Sequence, residues 1–70
     1  MEKPQIGETY RHFKGNYYKI VGFATDSETK KESVLYQEIR YDGKVWVRPL
    51  DMFMDIHPEH NVKRFVKITS

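Results

Sequence analysis

Ser33-Val34-Leu35-Tyr36-Gln37-Glu38-Ile39-Arg40-Tyr41-Asp42-Gly43-Lys44-Val45-Trp46-Val47-Arg48-Pro49 reads as a β-hairpin, and that reading sets the fold class. Asp-Gly makes a two-residue turn whose backbone twist matches the right-handed twist of the strands it joins. The β-branched and aromatic residues on either side suit a pleated, half-buried surface. Propensity alone also permits a helix over 28–41. Val34, Tyr36, Ile39 and Tyr41 running into Asp-Gly favour the hairpin. Pro49 has no N–H to give a ladder and fixes its own φ, so the second strand is expected to stop at Arg48.

Working outward, a strand is expected over 17–24, with apolar residues on both parities: Tyr17, Val21 and Phe23 against Tyr18, Ile20 and Ala24. A strand bent through a barrel accommodates that pattern, with Gly22 as the place for a bend or bulge. Lys14-Gly15-Asn16 is a turn signal that separates it from a first strand over 9–13. Residues 26–32 are polar throughout and read as an exposed loop. Beyond Pro49, Leu50-Asp51-Met52-Phe53-Met54 has the length of one helical or 3₁₀ turn. Residues 54–61 read as a loop and 63–69 as the fifth strand. Five short strands of this kind fit a small closed or nearly closed barrel, which removes aggregation-prone edges. Its terminal strands would then meet, gathering Arg11, Lys14, Lys19, Lys63, Arg64 and Lys67 on one side.

Seventy residues form a single domain, 1–70, with a thin core, because a chain this short buries only about 60% of its unfolded surface. There is no cysteine, which excludes disulfides, thiolate metal centres and thiol catalysis. Aromatic mass is the substitute, at 14% of residues. No apolar run approaches a membrane span and the first residues lack a signal-peptide core, so the expected location is cytoplasmic, away from membranes. A net charge of +2 does not by itself announce a nucleic-acid binder. The charge is uneven, however. Residues 1–25 hold four basic and two acidic side chains, 26–60 five and eight, and 61–70 three and none.

The residues that carry candidate chemistry are few. Arg11, His12 and Lys14 stand beside Tyr10 and Phe13, and a guanidinium fork plus an ammonium suit an anion. Equally, Arg11 suits a local ion pair with Glu28 or Glu38. Trp46 and Arg48 share one face of their strand, and Val45 and Val47 the other. If the valines are core, Trp46 points outward beside a guanidinium and offers a stacking surface. If they are not, Trp46 caps the core with Arg48 lying over it. Among Tyr17, Tyr18, Tyr36 and Tyr41, at least two are expected in the core, against a reading in which they line a peptide groove. His57-x-x-His60 has metal-ligand spacing but sits in a proline-containing loop, and no metal or cofactor is expected. No serine has the context of a nucleophile, and no glycine-rich phosphate loop exists.

Six runs together resemble a known bacterial family: Tyr10-Arg11-His12-Phe13-Lys14-Gly15-Asn16, Ser27-Glu28-Thr29, Val34-Leu35-Tyr36, Trp46-Val47-Arg48-Pro49-Leu50, Met52-Phe53 and Arg64-Phe65. In order and spacing the chain is similar to the proteins catalogued as domain of unknown function 1653, from about Gly7 to Phe65. The resemblance implies a short bacterial protein with a β-rich, SH3-like shape and no settled activity.

The expectation is therefore an all-β chain, a small five-stranded SH3-like barrel with one short helical turn before the last strand. Its expected role is binding without catalysis, through a basic and aromatic face of Arg11, His12, Lys14, Tyr36, Trp46 and Arg48. Nucleic acid is the favoured partner, because basic strands with interleaved aromatics suit backbone contacts plus stacking. The alternatives are a protein or peptide partner on an aromatic groove or edge strand, and a small enzyme using His12.

Overall fold

The computed structural model describes residues 3–40, 43–57 and 61–68. Its elements are β1 (Thr9–His12), β2 (Tyr17–Thr25), β3 (Glu32–Glu38), β4 (Val45–Pro49), α1 (Leu50–Phe53), β5 (Ile56–His57), β6 (Val62–Lys63) and β7 (Phe65–Ile68). Five strands form one antiparallel sheet in the order β4-β3-β2-β1-β7, and β5 and β6 pair as a separate ribbon.

The hairpin that decides the fold class is present. Ser33 pairs with Pro49, Leu35 with Val47 and Gln37 with Val45. Tyr41 and Asp42 of its turn lie outside the described residues. Gly43 has φ +67°, and an added Cβ there would approach the Gln37 amide nitrogen to 3.3 Å. The strand runs one residue further than expected, through Pro49, for a reason visible in the ladder. Glu38 N–H donates to the Lys44 carbonyl at 3.0 Å. Hydrogen-bonded pairs alternate from there, so Tyr36–Trp46 and Val34–Arg48 bond across the ladder. Val45, Val47 and Pro49 turn their backbone groups away from β3. The N–H that proline lacks would have faced the open edge.

The mixed parity of β2 comes from a bulge. Its register with β3 shifts between Ile20 and Gly22. Tyr18 and Ile20 before the shift and Phe23 after it all reach the core. Glycine is not what permits the bulge. Gly22 is absent from the positive-φ positions, and a Cβ would meet only the Leu35 Cδ1 at 3.6 Å, an ordinary contact. Gly22→Ala is therefore expected to raise the urea midpoint, by about 0.4–1 kcal/mol of reduced unfolded-chain entropy. A lowered midpoint would show that the bulge needs glycine.

Of the expected closed or nearly closed barrel, closure is corrected: β4 and β7 are the two edges of the sheet and do not pair. Side chains bridge them instead. α1 leaves β4 directly at Pro49 and has no side-chain cap, so its four residues hold by packing, with Phe53 in the core and Leu50 and Met54 against it. Phe53 is 1% exposed. Its ring stacks on Phe65 at 4.1 Å and meets Tyr10 at 5.2 Å and Tyr36 at 5.4 Å. Phe53 thereby ties α1, which continues directly from the β4 edge, to Phe65 on the β7 edge, and Arg48 of β4 stands over the same Phe65 ring at 5.8 Å. With Tyr10, Ile20, Val34, Tyr36 and Phe65, Phe53 makes the core.

The expected last strand is also divided. Arg64 interrupts it, donating its backbone N–H to the Asp55 carbonyl at 3.1 Å and its Nε–H to the Asp55 Oδ1 at 2.8 Å. β6 and β7 are the pieces on either side, and the expected loop over 54–61 contains β5.

The loop after β2 is organised by a carboxylate. Asp26 Oδ1 accepts the N–H groups of Glu28 at 2.8 Å and Thr29 at 3.0 Å. Those backbone bonds from Thr29 and Glu28 hold the Asp26 carboxyl below its usual range. Glu8 is lowered likewise, first by its hydrogen bond with Lys67 and then by the Gln5 N–H. A depressed folded-state pKa adds stability above the unfolded value and loses it as pH falls through the folded one. The urea midpoint is expected to drop once pH falls below the ordinary 4.5 of Glu8 and 3.8 of Asp26. Asp26→Asn with Glu8→Gln should flatten that drop, and an unchanged acid limb in the double variant would contradict it.

Candidate ligand-binding face

Cross-strand register decides where the site residues point. Cα partners in an antiparallel pair project their side chains to the same side of the sheet. Tyr36 faces Trp46 and Val34 faces Arg48. Tyr36 and Val34 are core residues at 5% and 0% exposure. Trp46 and Arg48 therefore lie on the core side, and the valines do not. Val45 and Val47 are 55% and 63% exposed on the outer side, while Trp46 is 46% exposed at the rim of the core. The structure takes neither sequence reading whole: the valines are not core, and Trp46, on the core side, is still half-exposed and outside the core cluster.

Arg48 is half-buried. Its Nε–H donates to the Tyr36 hydroxyl at 3.2 Å, and its guanidinium carbon stands 5.8 Å from the Phe65 ring centroid. Among the described residues no carboxylate pairs with it, and its terminal nitrogens make no protein hydrogen bond. Tyr18 continues the floor, edge-on to Tyr36 at 5.2 Å and to Phe65 at 5.9 Å. The resulting surface has an aromatic floor, one half-exposed indole and one cation with donors to spare.

His12 joins the same side through its register with Phe65. Its ring meets Phe65 edge-on at 4.9 Å and Phe13 at 4.5 Å. Nδ1 accepts the Lys14 N–H at 3.1 Å, which places the proton of a neutral ring on Nε2. Of the six expected site residues, His12, Tyr36, Trp46 and Arg48 thus share one face. Arg11 does not share it. It alternates with His12, pairs with Tyr17 and Val66, and is exposed on the outer face. Among the described residues Arg11 makes no ion pair with Glu28 or Glu38. Lys14 sits in the β1–β2 turn with its Nζ 5.9 Å from the Phe13 centroid.

The expected basic side is only partly assembled. β1 and β7 do pair, but Lys67 is bound to Glu8 at 2.7 Å and Arg64 to Asp55 at 2.8 Å. The hydrogen bond that Arg64 donates to the Asp55 carboxylate raises the Arg64 pKa further. Two of the six gathered cations are thereby neutralised. A separate cleft of about 260 Å³ lies between α1 and β7, lined by Tyr10, Phe53, Met54 and Phe65 with Lys63 and Lys67. Neither Trp46 nor Arg48 borders it. The side chain of His57 and all of His60 lie outside the described residues. Among the residues that are described, no three His, Asp or Glu side chains converge on a metal position.

Sequence reasoning left out Tyr18 and Glu38 as members of this face. Both are placed by the Tyr18–Glu38 pairing of β2 with β3, a register that only the position of the bulge defines.

Residues 8–67 match the family model described as protein of unknown function DUF1653. The chain belongs to the DUF1653 family. The matched span takes in β1 through β6 and all of β7 except Ile68, so Trp46, Arg48 and the rings beneath them lie inside the DUF1653 region. No curated protein and no solved structure matches the chain. Among the described residues, no helix is long and apolar enough to cross a membrane.

Proposed function

We propose that this DUF1653 protein is a non-catalytic module that binds short single-stranded nucleic acid on the face of Trp46 and Arg48. The observation that carries the reading is a half-exposed indole beside a guanidinium that has no carboxylate partner among the described residues. An apolar ring of that size normally buries most of its area, and a half-buried cation is normally paired. Together the two suit a ligand with a flat π-face and an anion separated from it by a sugar, which describes a nucleotide. Single strands are favoured over duplex because the rings offer stacking, and bases in a duplex have no free faces. Glu38, on the same side, suits an exocyclic amine of a base.

The fold supporting this face is read as an SH3-like barrel with an open seam, its β4 and β7 edges joined through Phe53. Binding without catalysis is favoured by His12, whose Nδ1 is taken up by a backbone donor between two rings. A cytoplasmic protein is the setting in which such a ligand is met. The test is a ¹H–¹⁵N titration with an oligo(dT) of about eight nucleotides. Shifts are expected at the Trp46 indole N–H, the Arg48 Nε–H and the β2–β3 amides near Tyr18. Shifts confined to Arg11 and Lys19 on the outer face, or none, would overturn the assignment.

A further inference from the structure

The β4 edge carries backbone groups that the ligand face does not use, those of Val45, Val47 and Pro49. Among the described residues nothing pairs with β4 on the side away from β3, and every β4 residue except Arg48 is exposed. Ladder alternation points the N–H and C=O of Val45 and Val47, and the C=O of Pro49, into that open side. Their side chains lie on the outer face, where apolar surface is already uncovered. Unpaired backbone groups flanked by exposed valines are a template for another strand.

The order Val45-Trp46-Val47-Arg48-Pro49 selects which strand. Two copies of β4 can meet antiparallel with at least three β4 residues of each paired through these outward groups when the two-fold axis lies at Trp46, Val47 or Arg48. An axis at Arg48 sets that guanidinium against its own copy. With the axis at Trp46, Lys44 falls opposite Arg48 of the other copy, twice, and like charges face each other. With the axis at Val47, Val47 faces its own counterpart in a hydrogen-bonded pair. The Val45 N–H then reaches the Pro49 carbonyl of the other copy, and proline's missing donor falls at the last position of the pairing. Trp46 falls opposite Arg48 of the other copy in the closely spaced pairs, on the core side, twice. The outer side brings together Val47 with Val47 and Val45 with Pro49. Charge, ladder bonds and apolar contact agree on one register.

We infer that β4 is a self-association edge, through which two copies of this chain join into one continuous ten-stranded sheet with a two-fold axis at Val47. The five residues of β4 are far fewer than the roughly 20–30 a side of a stable interface, so the dimer is concentration-dependent. It does not depend on the nucleic-acid reading. It is held by backbone bonds and apolar contact, which salt screens little, whereas phosphate binding weakens steeply with salt.

The chain has no cysteine, so single cysteines report the register directly. Val47→Cys places two sulfurs on residues whose Cα atoms face each other at about 5.5 Å, within disulfide range. Oxidation is expected to give a covalent dimer of Val47→Cys and little of Val45→Cys. Equal yields, or crosslinking of Val45→Cys alone, would overturn the register. In sedimentation runs up to about 1 mM, the mass of the unmodified chain is expected to rise from 8.4 kDa toward twice that. Val47→Lys, at a 63%-exposed site, should stay monomeric with an unchanged melting curve. A monomer at every concentration, or a dimer that Val47→Lys leaves intact, would overturn the edge itself. So would an added unrelated extended peptide that shifts the β4 amides while the chain alone stays monomeric.

Discussion

Phe53→Ala is expected to leave this protein largely unfolded at room temperature. The ring is 1% exposed and lies against Phe65, Tyr10 and Tyr36. Truncating a buried phenylalanine costs about 3–5 kcal/mol. A core this small, without disulfides, supplies about 3–5 kcal/mol in all. The loss is larger than for an equal truncation inside a ladder, because α1 has no cap and too few residues to stand without its ring. Phe65 on the β7 edge would then lose the ring stacked on it, and Tyr10 and Tyr36 the ring they meet. Far-UV circular dichroism and urea melts check this, with Val47→Ala as an exposed control expected within about 0.5 kcal/mol of the parent. A Phe53→Ala melting temperature within about 4 °C of the parent, under ~1 kcal/mol, would mean that the seam is held by something other than Phe53.

Trp46→Ala is expected to lower affinity for single-stranded DNA about 5- to 150-fold, the equivalent of the ~1–3 kcal/mol that one base–aromatic stack contributes. The fold should survive, because Trp46 is a rim residue at 46% exposure and not part of the core. Arg48→Met separates charge from packing. It keeps an unbranched apolar stem near Phe65 while removing the guanidinium and its bond to Tyr36. Affinity should fall and the salt dependence should become shallower by about one phosphate contact. Arg11→Met, on the opposite face, should change neither. A loss with Arg11→Met that matches Arg48→Met would move the site to the outer face.

The hairpin was legible because its signals are local: an Asp-Gly turn between β-branched runs, and a proline whose missing N–H marks a limit. The bulge in β2 was legible as mixed parity, although the glycine beside it turned out not to be the cause. The open seam was not legible. Leu50 to Met54 read as one helical turn, and the structure has one over Leu50–Phe53, but whether the two edge strands of a sheet meet is a tertiary event with no periodicity of its own. Arg64 split the last strand by pairing with Asp55 nine residues earlier, a contact outside any local window. For the site, alternation showed that Trp46 travels with Arg48 and that Arg11 and His12 must part. Which member of each pair faces inward rested on the pairings of Tyr36 with Trp46 and of His12 with Phe65, and those required the assembled sheet.

The most direct measurement of the binding claim uses the chain's only tryptophan, Trp46. Oligo(dT) of about eight nucleotides is titrated into the protein at about 20 mM and about 200 mM salt. Indole fluorescence should be quenched to saturation at low salt, with affinity falling steeply at high salt. Quenching that ignores salt, or no quenching while the oligonucleotide still binds, would contradict a ligand face built on Trp46 and Arg48.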